Sequence, residues 1–304
     1  MDHSLALDAI LPPVTLHPGA PPGSPLILAS PHAGRDYRPD FLKASRLDAR
    51  QLRRTEDAFV DLLFQEAPAL GVSLLCANFP RAWVDVNREQ WELDPAMFDA
   101  PLPPCAVKNS PRVAVGLGVI PKVAGQGALI YPGKLTLAEA EERLSQGWRP
   151  YHRALGELIE QTRRSFGWCL LIDCHSMPKL SGPKLSGPKL LGPKLSGAPP
   201  DAGPDIILGD AFGTSCRSDL VLWCEKHLQA AGYRVRRNAP YAGGYVTRHY
   251  GRPATGVHVL QLEIARELYM DEDTLEPSAQ FMQLRRNCTG FIAALAEQLA
   301  GRTY

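Results

Sequence analysis

The sequence predicts an α/β fold, because short apolar runs alternate along the chain with segments whose apolar residues recur at helical spacing. Four runs have the composition of strands buried on both faces: residues 26–29, 72–77, 168–172 and 257–262. Four segments are predicted as helices: residues 56–67, 137–164 (interrupted at Gly147 and Pro150), 218–231 and 280–299. No linker divides the pattern, so we predict a single domain over residues 1–304.

Charge and composition exclude several classes of partner. The 33 lysines and arginines almost balance 32 acids, and a net charge of +1 gives no reason to expect nucleic acid or a membrane surface. No stretch approaches the ~20 apolar residues of a membrane-spanning helix, and residues 1–10 lack the pattern of a signal peptide. The seven cysteines are scattered, several of them inside apolar runs, which indicates buried reduced thiols and a cytoplasmic protein.

A repeated segment interrupts the second half of the chain. Residues 178–197 contain the unit Pro-Lys-Leu-Ser-Gly four times, with Leu191 as the one variant. A proline at every fifth position disfavours helix and central strand, and one apolar residue in five cannot build a core. We therefore predict a flexible loop over residues 178–200.

Polar side chains follow three of the predicted strands. His32 comes after the first strand, Asp173 and His175 follow the third, and Glu263 follows the fourth. The carboxyl ends of strands carry the sites of open α/β sheets, and a catalytic zinc ion takes about three protein ligands from such residue types. The pattern therefore predicts a hydrolytic metal site.

Two further clusters are candidates for substrate binding. The segment from Asn78 to Arg88 includes Arg81 and the pair Asn87-Arg88, and an arginine fork matches a carboxylate. The segment from Gly243 to Gly251 includes Arg248 and His249, and its glycines permit a close approach of backbone to a ligand.

Seven motifs in this order carry a resemblance to a known family: SPHAGRDY, RAWVDVNRE, WRPYH, DCHSMP, DIILGDAFGTSC, GGYVTRHYG and VLQLEIARELYMDE. They extend from about Leu26 to Glu272, and together they resemble the N-formylglutamate amidohydrolases. The resemblance implies a fold similar to the zinc carboxypeptidases and aspartoacylase, a three-layer α/β sandwich with a central mixed, mostly parallel sheet.

The resemblance also implies roles for single residues. His32 and His175 match the family's histidine ligands of a divalent metal, expected to be zinc, and Glu263 matches the carboxylate that accepts the proton of the attacking water. Asn87 and Arg88 match the pair that binds the substrate carboxylate. Arg81 and Arg248 are expected to help hold the two carboxylates of glutamate, and His249 to bind substrate or shuttle a proton.

The third metal ligand is left open by the sequence. Where the carboxypeptidases have a glutamate three positions after the first histidine, this chain has Arg35. By family position the ligand is Asp57, whereas by helical geometry Glu56 shares a face with Phe59 and Leu63.

The implied activity is hydrolysis of N-formyl-L-glutamate, a small-molecule substrate, within histidine breakdown. One alternative is a deacylase or carboxypeptidase-like hydrolase for another N-acyl amino acid or short peptide. A second is a non-catalytic protein that binds a metal or an amino acid on the same scaffold.

Overall fold

A seven-stranded mixed sheet forms the centre of the computed structural model, which describes residues 11–21, 23–107, 109–180 and 203–302. Its strands are β1 (Val14–His17), β2 (Leu26–Ser30), β3 (Ser73–Ala77), β6 (Cys169–Met177), β7 (Ile206–Gly209), β8 (Val235–Arg237) and β9 (Val257–Ala265), in the order β1-β3-β2-β6-β9-β7-β8. The pairs β1–β3 and β7–β9 are antiparallel, and the other four pairs are parallel. Two short hairpins lie outside this sheet: β4 (Val123–Ala124) with β5 (Ala128–Leu129), and β10 (Met270–Asp271) with β11 (Glu276–Pro277).

Helices cover both faces of the sheet. They are α1 (Pro39–Ala44), α2 (Ala49–Arg53), α3 (Val60–Leu63), α4 (Pro111–Ala114), α5 (Leu137–Arg143), α6 (Arg149–Phe166), α7 (Ser218–Ala230), α8 (Tyr245–Tyr250) and α9 (Phe281–Leu299). Single 3-10 turns lie at Ala67–Leu70, Pro95–Met97, Gly125–Gly127, Pro253–Thr255 and Arg266–Leu268.

Alternating strand residues build two hydrophobic cores, one on each face. Leu28 and Ile172 face a core with α3, α7 and α9, whereas Ile27 and Leu171 face a core that includes α5 and α6. The central strands are buried over their whole length because helices cover both faces. The predicted three-layer α/β architecture with a mixed, mostly parallel sheet is therefore confirmed.

The four predicted strands are all present, and two of them run further than expected. Strand β6 continues to Met177 and β9 to Ala265, so Asp173, His175 and Glu263 lie within strands instead of after them. The predicted interruption of the long helix is a π-helical turn, Leu144–Trp148, between α5 and α6.

The predicted helix over residues 56–67 is wrong, since only Val60–Leu63 is α-helical. Phe59 adopts a left-handed conformation with φ 65°, which ends any helix arriving from the amino-terminal side. The backbone N–H of Asp57 donates to the carbonyl of His32 over 3.0 Å. This contact holds Glu56 and Asp57 in a turn beside β2, ahead of the helix.

The structure bears on two expectations drawn from the composition, namely those on membrane-spanning helices and on the cysteines. No helix in the described ranges is long and apolar enough to cross a membrane. All seven cysteines lie in those ranges as free thiols, six of them buried and Cys105 exposed. The predicted repeat loop covers residues 178–200, and its part from residue 181 onward lies outside the described residues.

Candidate active site

Three buried side chains from separate segments meet at one edge of the sheet. His32 follows β2, His175 lies in the neighbouring parallel strand β6, and Asp57 lies in the turn before α3. Asp57 Oδ2 is 3.2 Å from His32 Nδ1 and 2.9 Å from His175 Nδ1. One ligand atom from each residue falls within 4.8 Å of the others, so this group could hold a metal ion.

The far nitrogen of each histidine ring contacts a second carboxylate. His32 Nε2 lies 2.8 Å from Asp85 Oδ1, and His175 Nε2 lies 2.9 Å from Asp173 Oδ2. When each Nε2–H donates to its carboxylate, each Nδ1 presents its lone pair toward Asp57. This arrangement, a carboxylate behind a histidine, fixes the tautomer that metal binding requires.

Two further side chains orient the carboxylate of Asp57. Its Oδ1 accepts from Arg266 Nη2 over 3.2 Å and from Ser176 Oγ over 3.3 Å, which leaves Oδ2 toward the histidines. Burial raises the pKa of Asp57, but hydrogen bonds with His175 and His32 bring it well below its usual value. Burial likewise lowers the pKa of His175, while Asp173 and Asp57 raise it well above 6.5.

The donor set fits a divalent cation. Two histidine nitrogens and one carboxylate oxygen converge in a buried place, and the carboxylates of Asp85 and Asp173 behind the histidines add negative charge that favours a cation. Glu56, the alternative ligand, points elsewhere: its carboxylate accepts from Tyr37 Oη over 2.7 Å and from Arg53 Nε over 3.4 Å. The structure therefore places Asp57, and not Glu56, with the histidines.

Glu263 lies beside this cluster because β9 pairs with β6 so that Glu263 is the register partner of His175. Its Oε1 accepts from Gln261 Nε2 over 2.7 Å, and Gln261 Oε1 accepts from the backbone N–H of Gly244 over 2.8 Å. Burial raises the pKa of Glu263 to about 7. A buried carboxyl with this pKa is suited to accept a proton near neutral pH.

Comparison with known proteins decides the family. A model of the N-formylglutamate amidohydrolase family matches residues 24–270. The chain belongs to the N-formylglutamate amidohydrolase family. An N-formylglutamate deformylase of Pseudomonas aeruginosa is 33% identical over 283 residues, which cover 90% of this chain and 92% of that protein. An N-formylglutamate deformylase of Pseudomonas putida is 32% identical, with 82% of each chain covered.

A solved structure supports the same assignment. The crystal structure of an N-formylglutamate amidohydrolase from Ralstonia eutropha JMP134 superposes with a TM-score of 0.85 and 35% sequence identity. The match covers 95% of this chain and 99% of that one.

In this N-formylglutamate amidohydrolase family member, the pair Asn87-Arg88 is buried behind the cluster. Asn87 Nδ2 lies 3.2 Å from His175 Nε2, and its Oδ1 accepts from the N–H of Val246 over 2.9 Å. Arg88 donates from Nε to the Leu117 carbonyl over 2.8 Å and from Nη1 to the Asn87 carbonyl over 2.7 Å. Asn87 Nδ2 also donates over 3.5 Å to Asp173, the carboxylate behind His175, and part of the Arg88 fork is already engaged.

Asp85 connects two arginines to His32. Its Oδ2 accepts from Arg81 Nη2 over 2.7 Å and lies 3.6 Å from Arg88 Nη2, while Oδ1 faces His32. Burial raises the pKa of Asp85, but Arg81, Arg88 and His32 hold it well below its usual range. Asp85 is thus an ionised bridge between Arg81 and Arg88 on one side and His32 on the other.

A cavity of about 680 Å³ opens in front of these groups. His32, Asp57, His175, Glu263, Arg81 and Arg248 all line it. His249 does not line it, contrary to the expectation, because its exposed ring stacks on Tyr245 at 4.7 Å between centroids. Within α8, Arg248 and not His249 therefore faces the cavity.

A glycine pair closes one wall of the cavity. Gly243 has φ +116°, and a Cβ on Gly244 would lie 2.3 Å from Asn87 Oδ1. Both positions therefore require glycine. The pair brings the N–H groups of Gly244 and Val246 onto Gln261 and Asn87, so α8 is anchored to the groups that surround Glu263 and His175.

The sequence did not predict Asp85, Gln261 and Arg266, whose side chains contact His32, Glu263 and Asp57 respectively. Asp85 and Arg266 stand in motifs that were recognised, and Gln261 lies two positions before Glu263 on the same face of β9. A polar residue at alternate positions of an otherwise apolar buried strand was the one available signal for Gln261, because a buried amide needs partners.

Proposed function

We propose that this protein is a metal-dependent deformylase that hydrolyses N-formyl-L-glutamate to formate and L-glutamate. The observation that carries the proposal is the buried His32–Asp57–His175 group with Glu263 beside it in one cavity. Both Pseudomonas relatives are named N-formylglutamate deformylase, and their sequences match most of this chain, which supports the substrate.

Zinc is the metal we propose. Two histidine nitrogens and one carboxylate oxygen are the ligand types and the number that catalytic zinc sites use. Bound there, zinc would supply a Lewis acid that polarises the formyl carbonyl and makes water more acidic. Asp85, Asp173 and Arg266 would keep the three ligands oriented, since each contacts the side of a ligand that faces away from the others.

Glu263 would move the proton. Its Oε1 is held by Gln261, and among the described residues no hydrogen bond reaches Oε2, which is therefore the oxygen available to the attacking water. Glu263 would accept that proton and return it to the leaving amine nitrogen as the amide bond breaks, so that formic acid, which then loses its proton to become formate, and a neutral amino group result.

Arginines would hold the substrate. Arg88 and Arg81 meet at Asp85, close to His32, where they can bind the α-carboxylate next to the scissile amide. Arg248 lines the same cavity from α8. A place for this reaction in histidine breakdown stays a prediction.

A deacylase for larger N-acyl amino acids is the second candidate. The exposed apolar side chains Val115, Leu117 and Phe212 line the outer part of the cavity, where they would suit a bulkier acyl group. A narrow acyl pocket would instead favour the formyl group.

A substrate panel separates the two. Purified protein is incubated with N-formyl, N-acetyl and N-carbamoyl derivatives of glutamate, aspartate and glutamine, and release of formate or amine is measured. The proposal expects the highest kcat/KM for N-formyl-L-glutamate and loss of turnover in the Glu263→Gln variant. Higher kcat/KM for N-acetyl substrates would favour the second candidate, and no hydrolysis by metal-loaded protein would contradict both.

A further inference from the structure

The arginines that line the cavity fall into two groups. Arg81, Arg88 and Arg266 are engaged by Asp85, by Asp57 or by backbone carbonyls. Arg54, Arg112 and Arg248 also line it, but within the described residues their guanidinium groups have neither a hydrogen bond nor an ion pair. A dianionic substrate would find its free donors in this second group.

Arg112 is the member of that group held beside the carboxylate-binding pair. The Leu117 carbonyl accepts from Arg88 Nε over 2.8 Å, and the Leu117 N–H donates to the Arg112 carbonyl over 2.8 Å. Burial chiefly, with the nearby charge of Arg112, lowers the pKa of Arg88 to about 10 despite Asp85. The charge of Arg112 thus acts on Arg88, and the carboxylate of Asp85 lies between Arg88 and His32.

The segment that carries Arg112 is well anchored. Ser110 Oγ accepts from the N–H groups of Arg112 and Val113 over 3.2 and 3.0 Å, and it donates to the buried carboxylate of Glu92. Arg112 is half-buried at the start of this short turn. A half-buried arginine without a partner on an anchored turn is suited to bind an anion, because little side-chain freedom remains to be lost.

The order of these contacts assigns the two carboxylates of the substrate. The α-carboxylate is bonded to the carbon that bears the scissile amide, so it must lie near Arg88, which Asp85 links directly to His32. The side-chain carboxylate lies farther from the reacting bond. Arg112 lines the same cavity, and Leu117 links its backbone to the Arg88 side chain, so it is a cation placed next to Arg88.

We propose that Arg112 binds the side-chain carboxylate of the substrate and makes the site selective for acidic N-acyl amino acids. The inference rests on the function proposed above, because it needs a dianionic substrate whose amide is cleaved beside Glu263.

The test compares N-formyl-L-glutamate with its neutral isostere N-formyl-L-glutamine. For Arg112→Gln we expect kcat/KM on the glutamate derivative to fall about 10- to 150-fold, the range of one charge-assisted hydrogen bond, mainly through a higher KM. The value on the glutamine derivative should change less than about threefold, since the neutral amide makes no charged bond there. Arg112→Lys keeps the charge but not the fork, so it should recover part of the loss.

Three matched variants complete the design. Arg54→Gln and Arg248→Gln remove the other unpaired guanidinium groups of the cavity, and Arg153→Gln removes an exposed arginine of α6 outside it. Arg153→Gln should behave as wild type on both substrates. Equal losses on both substrates in Arg112→Gln, no loss, or a selective loss in Arg54→Gln or Arg248→Gln alone would overturn the assignment. Failure of the wild type to release formate from either substrate would instead overturn the proposed function.

Discussion

Replacing Asp85 with asparagine should weaken metal binding although the residue is not a ligand. Its Oδ1 contacts His32 Nε2 at 2.8 Å and accepts from the Asn87 N–H at 2.9 Å, while Oδ2 accepts from Arg81 at 2.7 Å. The asparagine side chain has only one oxygen, so it can accept hydrogen bonds either on the His32 side or on the Arg81 side, but not on both. If its NH₂ faces His32, the ring must carry its proton on Nδ1, toward the metal position. If the NH₂ faces Arg81, two donors meet.

The magnitude follows from these contacts. Loss of such an outer partner typically costs about 10- to 100-fold in metal affinity or activity, equivalent to roughly 1.4–2.7 kcal/mol. The free energy of unfolding should also fall, but by less than the ~3–5 kcal/mol of a broken buried pair, because Arg88 keeps two carbonyl partners.

Metal affinity is measured by competition with a chromogenic chelator, and stability by urea denaturation of the metal-free protein. Asp61→Asn is the matched control, since Asp61 pairs at 2.9 Å with Arg35, whose side chain is 45% exposed. That variant should keep wild-type metal affinity and lose less than about 1 kcal/mol of stability. Wild-type metal affinity in Asp85→Asn would refute the reasoning.

Other substitutions test the remaining parts of the site. His175→Ala should abolish metal binding and turnover together, because one of three ligands is lost, and metal analysis of the purified variant checks this. Glu263→Gln should keep the metal while kcat falls about 10²–10⁴-fold. Burial raises the pKa of Glu263, a bound cation lowers it again, and the base works only when ionised. For the metal-loaded wild type, kcat/KM should therefore rise with pH along an acidic limb that ends below about 7, and this limb should be missing in Glu263→Gln. Gln261→Met should lower kcat about 10- to 100-fold with little change in KM, and should add nothing in a Glu263→Gln background. An additive loss in that double variant would contradict a role through Glu263.

The fold could be predicted from the sequence where apolar patterns are unambiguous. Strands β2, β3, β6 and β9 are continuous apolar runs, and α7 and α9 agree with the prediction within one residue. Three short strands, β1, β7 and β8, were missed, because strands of three or four residues carry little signal, and β1 and β8 are also partly exposed. The segment after Glu56 has a helical apolar pattern, but the contact of Asp57 with His32 and the left-handed Phe59 override it.

The residue types of the site could be predicted from the sequence, whereas most of the contacts that orient them could not. The carboxyl ends of parallel strands brought His32, His175 and Glu263 together as expected. The structure also distinguishes Asp57 from Glu56, because the turn aims one carboxylate at the histidines and the other at Tyr37. Arg112 gave no signal, and Asp85 lay in a recognised motif without a role of its own, because the importance of each charge depends on its partners and a sequence does not show them.

Metal titration of the stripped protein is the measurement that tests the central claim most directly. Protein freed of metal by a chelator is titrated with zinc, and formate release from N-formyl-L-glutamate is followed beside direct metal binding. We predict that activity is absent at the start, rises linearly and saturates at about one equivalent, as expected for a single three-ligand site. His175→Ala should remain inactive and unloaded throughout. Full activity in the stripped protein, or in His175→Ala, would contradict the account.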